Sequence, residues 1–161
     1  MKILVPLEGT ELEQEVLRQA RLLAVRNRAE LVLLRVVPDP IPLPLLASPQ
    51  EQARVDAQNQ ALRVLAKGAL ERTADRLRAA RLRVTTQVYE GDPVEGILRC
   101  VSTICADLIV MSAAGMKGQD RWLDSGMTRR VVNESPVPVV AVGGTPYPGI
   151  PDTFVQPPAP N

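Results

Sequence analysis

The chain has no histidine, two cysteines, 2% aromatic residues and a formal net charge of +1 over 161 residues. Each shortage excludes something. Without imidazole there is no Ser-His or Cys-His nucleophile pair, and the commonest metal ligand is missing. Scarce aromatics leave no stacking platform for single-stranded nucleic acid. The near-neutral balance leaves no basic surface to neutralise phosphates, so no nucleic acid partner is expected. Cys100 and Cys105 stand in one helical pattern, about 140° apart around its axis. Their side chains diverge and are expected as small buried apolar groups rather than a redox pair. No apolar run approaches ~18 residues, so no membrane span is expected. The chain opens on a strand-like run instead of a signal peptide, which makes the cytoplasm the expected location.

What is present fits one domain with an aliphatic core, since 45% of the residues are hydrophobic and few of those are aromatic. Lys2-Ile-Leu-Val-Pro6 reads as a short buried parallel strand. Glu8-Gly9-Thr10 turns the chain, and Thr10 with Glu13 forms a capping box for a helix burying Leu12, Val16, Ala20 and Leu23. Glu30 to Val37 is the second strand. Prolines 38, 40, 42 and 44 exclude helix and ladder alike. This extended loop, with Ile41, Leu43, Leu45 and Leu46, either packs on its own surface or covers a cleft or partner. Ser48-Pro49 starts a long helix whose stripe runs Leu62, Leu65, Ala66, Ala69, Leu70, Thr73, Leu77. Val84 to Tyr89 is a third strand, of edge type. Glu90-Gly91-Asp92-Pro93 leads into a helix holding Ile97, Val101 and Ile104. Leu108 to Met111 is the fourth strand, about Thr128 to Asn133 a short helix, and Pro138 to Val142 the fifth strand. Residues 143–161, rich in proline, read as an extended or disordered tail, in which Thr153-Phe-Val155 is the part able to dock.

Strands alternating with helices predict an α/β fold: an open five-stranded parallel sheet, order 3-2-1-4-5, with helices on both faces. The order reverses beside the first strand, so a cleft is expected where Pro6-Leu7-Glu8 faces Met111-Ser112. The loop Met111 to Thr128 follows the fourth strand and precedes a helix, the usual place to hold an anion. Its small residues (Ser112, Ala113, Ala114, Gly115, Gly118, Ser125, Gly126) let backbone N–H groups approach a phosphate.

Four segments, Lys2 to Thr10, Glu90 to Pro93, Ala106 to Met111 and Ser135 to Val142, together resemble the universal stress protein family. The resemblance covers roughly residues 2–142 and treats 1–142 as one universal stress protein domain followed by the tail 143–161. It implies an adenine nucleotide alpha hydrolase-like fold, frequent homodimers and, in one branch, binding of ATP or AMP. That branch resembles a pattern of Gly, two residues, Gly, nine residues, then Gly and a hydroxyl residue. With Gly115 as the second glycine, Ser112 and Ser125 take the other two places and Gly126 the hydroxyl place. A register shifted by one makes Gly126 the third glycine and puts Met127 in the hydroxyl place. Thr128 matches a further hydroxyl position.

By this resemblance, Pro6, Leu7 and Val36 line an adenine pocket and Glu8 faces the ribose in place of the usual Asp. Ser112, Gly115, Gly118, Ser125, Gly126 and Thr128 hold phosphates, beside Met111 and Met127. Glu8 reads equally as a charged residue capping the first helix. A serine in a place that needs positive φ costs about 1–2 kcal/mol, so two such changes weaken binding about a hundredfold. The alternative is a dimeric interaction module without nucleotide, whose strand Val137–Val142 serves as the homodimer edge. Asp120 and Asp124 could hold Mg²⁺, though lone acids at this spacing are more often solvated. With no general base in view, turnover is expected to be at most very slow ATP hydrolysis.

Overall fold

In a computed structural model, residues 1–9, 12–39, 47–113, 126–143 and the strand backbone of 153–156 are described. The elements run β1 (Lys2–Pro6), α1 (Glu13–Asn27), β2 (Glu30–Val37), α2 (Pro49–Ala79), β3 (Val84–Glu90), α3 (Pro93–Ile104), β4 (Leu108–Ser112), α4 (Met127–Glu134), β5 (Val139–Val142) and β6 (Thr153–Gln156). The sheet order is β3-β2-β1-β4-β5-β6. The first five strands are parallel, in the order expected from the sequence. β6 is an addition. It lies within the tail and pairs antiparallel with β5, so this part of the tail docks.

Period-two alternation divides the core into two layers. Ile3, Val5, Leu7, Leu31 and Leu33 meet Val16, Ala20 and Ala24 of α1 and Leu70 and Ala74 of α2. Leu4, Val32, Leu34, Ile109 and Met111 meet Ile97 and Val101 of α3 and Val131 of α4. Because both faces of β1, β2 and β4 are covered, these strands are apolar throughout rather than alternating. Fully burying one such aliphatic side chain contributes about 1.5–3 kcal/mol.

Helix ends follow local chemistry. Ser48 and Glu51 form a reciprocal capping box at α2, with Glu51 N–H donating to Ser48 Oγ at 3.2 Å and Ser48 N–H to the Glu51 carboxylate at 2.7 Å. Asp92 accepts from Glu95 N–H at 2.9 Å to cap α3. The expected box at α1 differs. Its N-cap is Leu12, which makes no side-chain cap bond. Glu13 instead reaches back to accept from Gly9 N–H at 2.9 Å. Thr10 lies outside the described residues.

Two burial expectations are corrected. Of the stripe on α2, only Leu70 and Thr73 are buried, joined by Ala74, while Leu62 and Leu65 are 54% and 67% exposed. The reason is length. A helix of 31 residues is about 46 Å long, roughly twice the span of a seven-residue strand, so its first half runs past the sheet. Arg63 pairs with Glu90, the last residue of β3, at 2.7 Å and marks the level of the sheet rim. The second correction concerns Cys105. It is exposed at the left-handed C-cap of α3, whereas Cys100 is buried, and both thiols are free.

Candidate functional site

β1 and β4 pair at Ile3↔Leu108 and Leu4↔Ile109, and no pairing continues beyond. Continuing that register sets Pro6 level with Met111 and Glu8 level with Ala113. The two chains therefore leave the sheet side by side, at the point where the strand order reverses. β1 continues toward α1 and β4 toward α4. The reversal of strand order expected from the sequence lies here.

The expected site residues divide by what their side chains are doing. Leu7 is buried in the layer under α1 and α2, and Val36 packs against the opposite layer under α3 and α4. Their faces differ because Pro6 pairs with Leu34, which sets Leu7 level with Arg35, and Val36 is one residue further along a strand whose side chains alternate. Leu7 N–H is also used, donating to Leu34 O at 2.8 Å. Pro6 is buried at the end of β1. Met111 and Met127 are core residues of the second layer, with Met111 fully buried. Gly115, Gly118 and Ser125 lie outside the described residues, as do Asp120 and Asp124.

Ser112 closes β4 and is 5% exposed. Among the described residues, the non-glycines at positive φ are Arg28, Arg81 and Cys105. Ser112 is thus in ordinary backbone conformation, and the strain expected for a serine in a glycine place does not arise there. Gly126, by contrast, is the N-cap of α4 at φ +69° and ψ 23°. That left-handed conformation is the one glycine adopts without a steric penalty. The conformational demand therefore falls on Gly126, as it would in the register that treats Gly126 as the third glycine. The α4 amino end makes no side-chain cap bond, and by helix geometry its first N–H groups have no partner within the helix. Thr128 Oγ1 donates to Ser112 O at 3.1 Å and ties that helix end to the end of β4.

Glu8 stands on the β1 side, two residues beyond the end of that strand. It is partly buried, and its Oε2 is enclosed without a hydrogen-bond partner among the described residues. Burial pushes its carboxyl up to about 7, while the positive charge of Arg35 pulls the other way. The sequence reading missed Arg35. Its Nη2 lies 3.8 Å from Glu13 Oε2, both side chains being mostly covered, and its Nε is likewise enclosed without a partner among the described residues. Arg35, Glu13 and Gly9 thus brace the turn between β1 and α1. The signal was available: Arg35 is the one charge inside the apolar run Leu31 to Val37, placed near the strand's carboxyl end where α/β sheets keep their ligands.

An open groove of about 560 Å³ runs along the solvent side of α3 and α4, lined by residues including Leu98, Arg99, Arg130 and Glu134. No strand end contributes to it, so it is separate from the place where β1 and β4 leave the sheet. Among the described residues there is no group of three His, Cys, Asp or Glu placed to hold a metal ion, and no helix is long and apolar enough to cross a membrane.

Comparison with known proteins agrees with this architecture. The chain is 26% identical over 141 residues to a universal stress protein of Methanocaldococcus jannaschii, covering 88% of this chain and 81% of that one. The solved universal stress protein UspA from Lactobacillus plantarum superposes with a TM-score of 0.72 at 24% identity, over 88% of this chain and 96% of its own. A universal stress protein solved in complex with cAMP superposes at 0.56 and 17% identity, over 88% and 95% of the two chains. At these identities the superpositions speak for the fold. The family model for universal stress proteins matches residues 1–143, and the chain belongs to the universal stress protein family.

Proposed function

We propose that this chain binds an adenine nucleotide, ATP or AMP, between the ends of β1 and β4 and acts as a stress-response sensor whose partner contacts change with occupancy. The observation that carries this reading is a pair of groups near the ends of β1 and β4 that have no partner among the described residues: the Glu8 carboxyl oxygen, and the amino end of α4, which opens at Gly126 without a side-chain cap bond. A carboxyl with a pKa near neutrality accepts from, or donates to, a sugar hydroxyl, and a helix amino end holds phosphate through its free N–H groups. Gly115, Gly118, Ser125 and Thr128 are assigned to the phosphates, and Pro6 and Val36 to the base. A neighbour of the same fold solved with cAMP is in keeping with this. Mg²⁺ would come in with the phosphates, which suit it better than a set of protein ligands. Lacking a general base, the site is one for binding, with hydrolysis at most very slow.

The second reading is a dimeric interaction module without nucleotide. It is favoured by the commitment of the Leu7 and Met111 side chains to the core, which leaves less of the cleft wall free to touch a base. Calorimetry with ATP, AMP and ADP, with and without Mg²⁺, separates the two. Heat of binding that disappears in Gly115→Val, with the melting temperature kept, supports the nucleotide site. No heat with any nucleotide at millimolar concentration leaves the interaction module.

A further inference from the structure

The amino-terminal rim of the sheet, opposite the strand ends where nucleotide binding is proposed, is crowded with arginine. Arg26 and Arg28 stand at the end of α1, Arg81 and Arg83 in the turn between α2 and β3, and all of them are exposed. The two turns are neighbours. The pairing Leu31↔Val84 sets Glu30 level with Arg83, on strands about 4.8 Å apart. Arg83 Nη2 also donates to Arg28 O at 2.6 Å, which ties one turn to the other. Among the described residues none of these arginines pairs with a carboxylate. The acids on the adjoining segments are engaged: Glu71 and Asp75 with Arg78, Glu30 with the Thr85 hydroxyl, and Asp107 with the backbone N–H of Lys2.

Two of the arginines occupy an unfavourable backbone conformation. Arg28 lies at φ 50° and Arg81 at φ 63°. After each, the chain turns back on its helix, with Ala29 N–H donating to Ala24 O at 2.9 Å and Leu82 N–H to Leu77 O at 3.3 Å. That helix ending ordinarily takes glycine, which has no left-handed penalty. Folding therefore does not account for a guanidinium at either place, and an unfavourable conformation that is kept points to a use for the side chain.

A guanidinium is a planar fork that fits carboxylate or phosphate through paired hydrogen bonds. The remaining surface selects the size of the anion. With 19 Lys and Arg against 18 Asp and Glu, the excess at the rim is balanced by acids elsewhere. A nucleic acid duplex or a bilayer extending past the rim meets those acids, whereas a short run of Asp and Glu reaches both turns and ends there. We propose that Arg26, Arg28, Arg81 and Arg83 form a docking surface for a carboxylate-rich segment of a partner protein. The surface is at the far end of the sheet from the proposed nucleotide site and does not depend on it.

Fluorescence anisotropy on the full chain tests this, with a labelled octaglutamate peptide at low salt as the probe. Binding is expected, and Arg28→Gly/Arg81→Gly should weaken it about tenfold. Glycine suits both backbones, so that variant should melt at about the wild-type temperature, which separates lost binding from lost fold. Arg26→Gln/Arg81→Gln gives the same readout should the glycine variant fail to fold. Arg99→Gln/Arg130→Gln removes equal charge from α3 and α4 and should leave binding unchanged. No binding of the peptide, or an equal loss in the rim and control variants, overturns the proposal. Tighter binding of a single-stranded oligonucleotide of equal charge, or of phosphatidylserine vesicles, overturns it too and assigns the surface to phosphate.

Discussion

Thr128 donates its hydroxyl to the carbonyl oxygen of Ser112 at 3.1 Å, joining the first turn of α4 to the last residue of β4. The bond uses the hydroxyl proton and leaves the threonine oxygen with its acceptor capacity. Thr128→Val removes it while keeping the shape of the side chain. A net loss of about 1 kcal/mol is expected, as for an ordinary intramolecular hydrogen bond, and Thr128→Ser should recover most of it. Urea denaturation of the three proteins checks this.

Gly126 sits at φ +69°, and a Cβ added there meets nothing within 4 Å. Any loss in Gly126→Ala is therefore conformational and should be about 1 kcal/mol. Gly126→Asn, which tolerates the left-handed region, should lose less. Chemical denaturation distinguishes this order from the reverse, which helix propensity alone would predict.

Glu8 should give the protein a pH dependence in the unusual direction. Its carboxyl titrates at about 7 in the fold against a usual 4.5. Between those values the native chain keeps a proton that the unfolded chain has lost. Stability is therefore present in full below 4.5, declines as pH rises to about 7, and is level above, by about 3 kcal/mol at most. Glu8→Gln should flatten that window and be more stable than the wild type at pH 8. The carboxyls of Glu15, Glu51 and Glu71 are held below the usual range by their hydrogen bonds. They act in the opposite sense at more acidic pH, so they do not mask the effect. Melting temperature followed from pH 4 to pH 8 is the measurement.

Gly96 of α3 lies under the ring of Tyr89, and a Cβ there would come within 2.5 Å of its Cδ1. Helix propensity favours Gly96→Ala by about 1 kcal/mol, but the clash with a ring packed against the core outweighs it. A net destabilisation of about 1–3 kcal/mol is expected, as for overpacking elsewhere. Tyr89→Leu in the same chain should relieve it, which a double-mutant cycle reads directly.

Leu65 and Leu70 belong to one sequence stripe but to different environments, 67% and 1% exposed. Leu70→Ala should lose about 2–5 kcal/mol, while Leu65→Ala should stay within about 0.5 kcal/mol. Equal losses would mean that the first half of α2 packs on something.

The sequence by itself determined the parallel sheet, its strand order and the point where that order reverses. Those follow from apolar runs such as Leu31 to Leu34, buried on both faces, and from alternation with helices, where handedness leaves few topologies. It also identified the loop that leads into α4 and the hydroxyl at Thr128. Only the tertiary structure decided which face Leu7 and Val36 take, since strand periodicity fixes that two residues oppose each other but not which helices cover each side. Only tertiary packing left Leu62 and Leu65 in solvent, because a helical stripe records periodicity and not where the sheet ends. The long-range pairing of Phe154 with Ala141 is equally silent in composition: a proline-rich tail reads as solvated until a neighbouring edge strand supplies the backbone partners that its own sequence cannot.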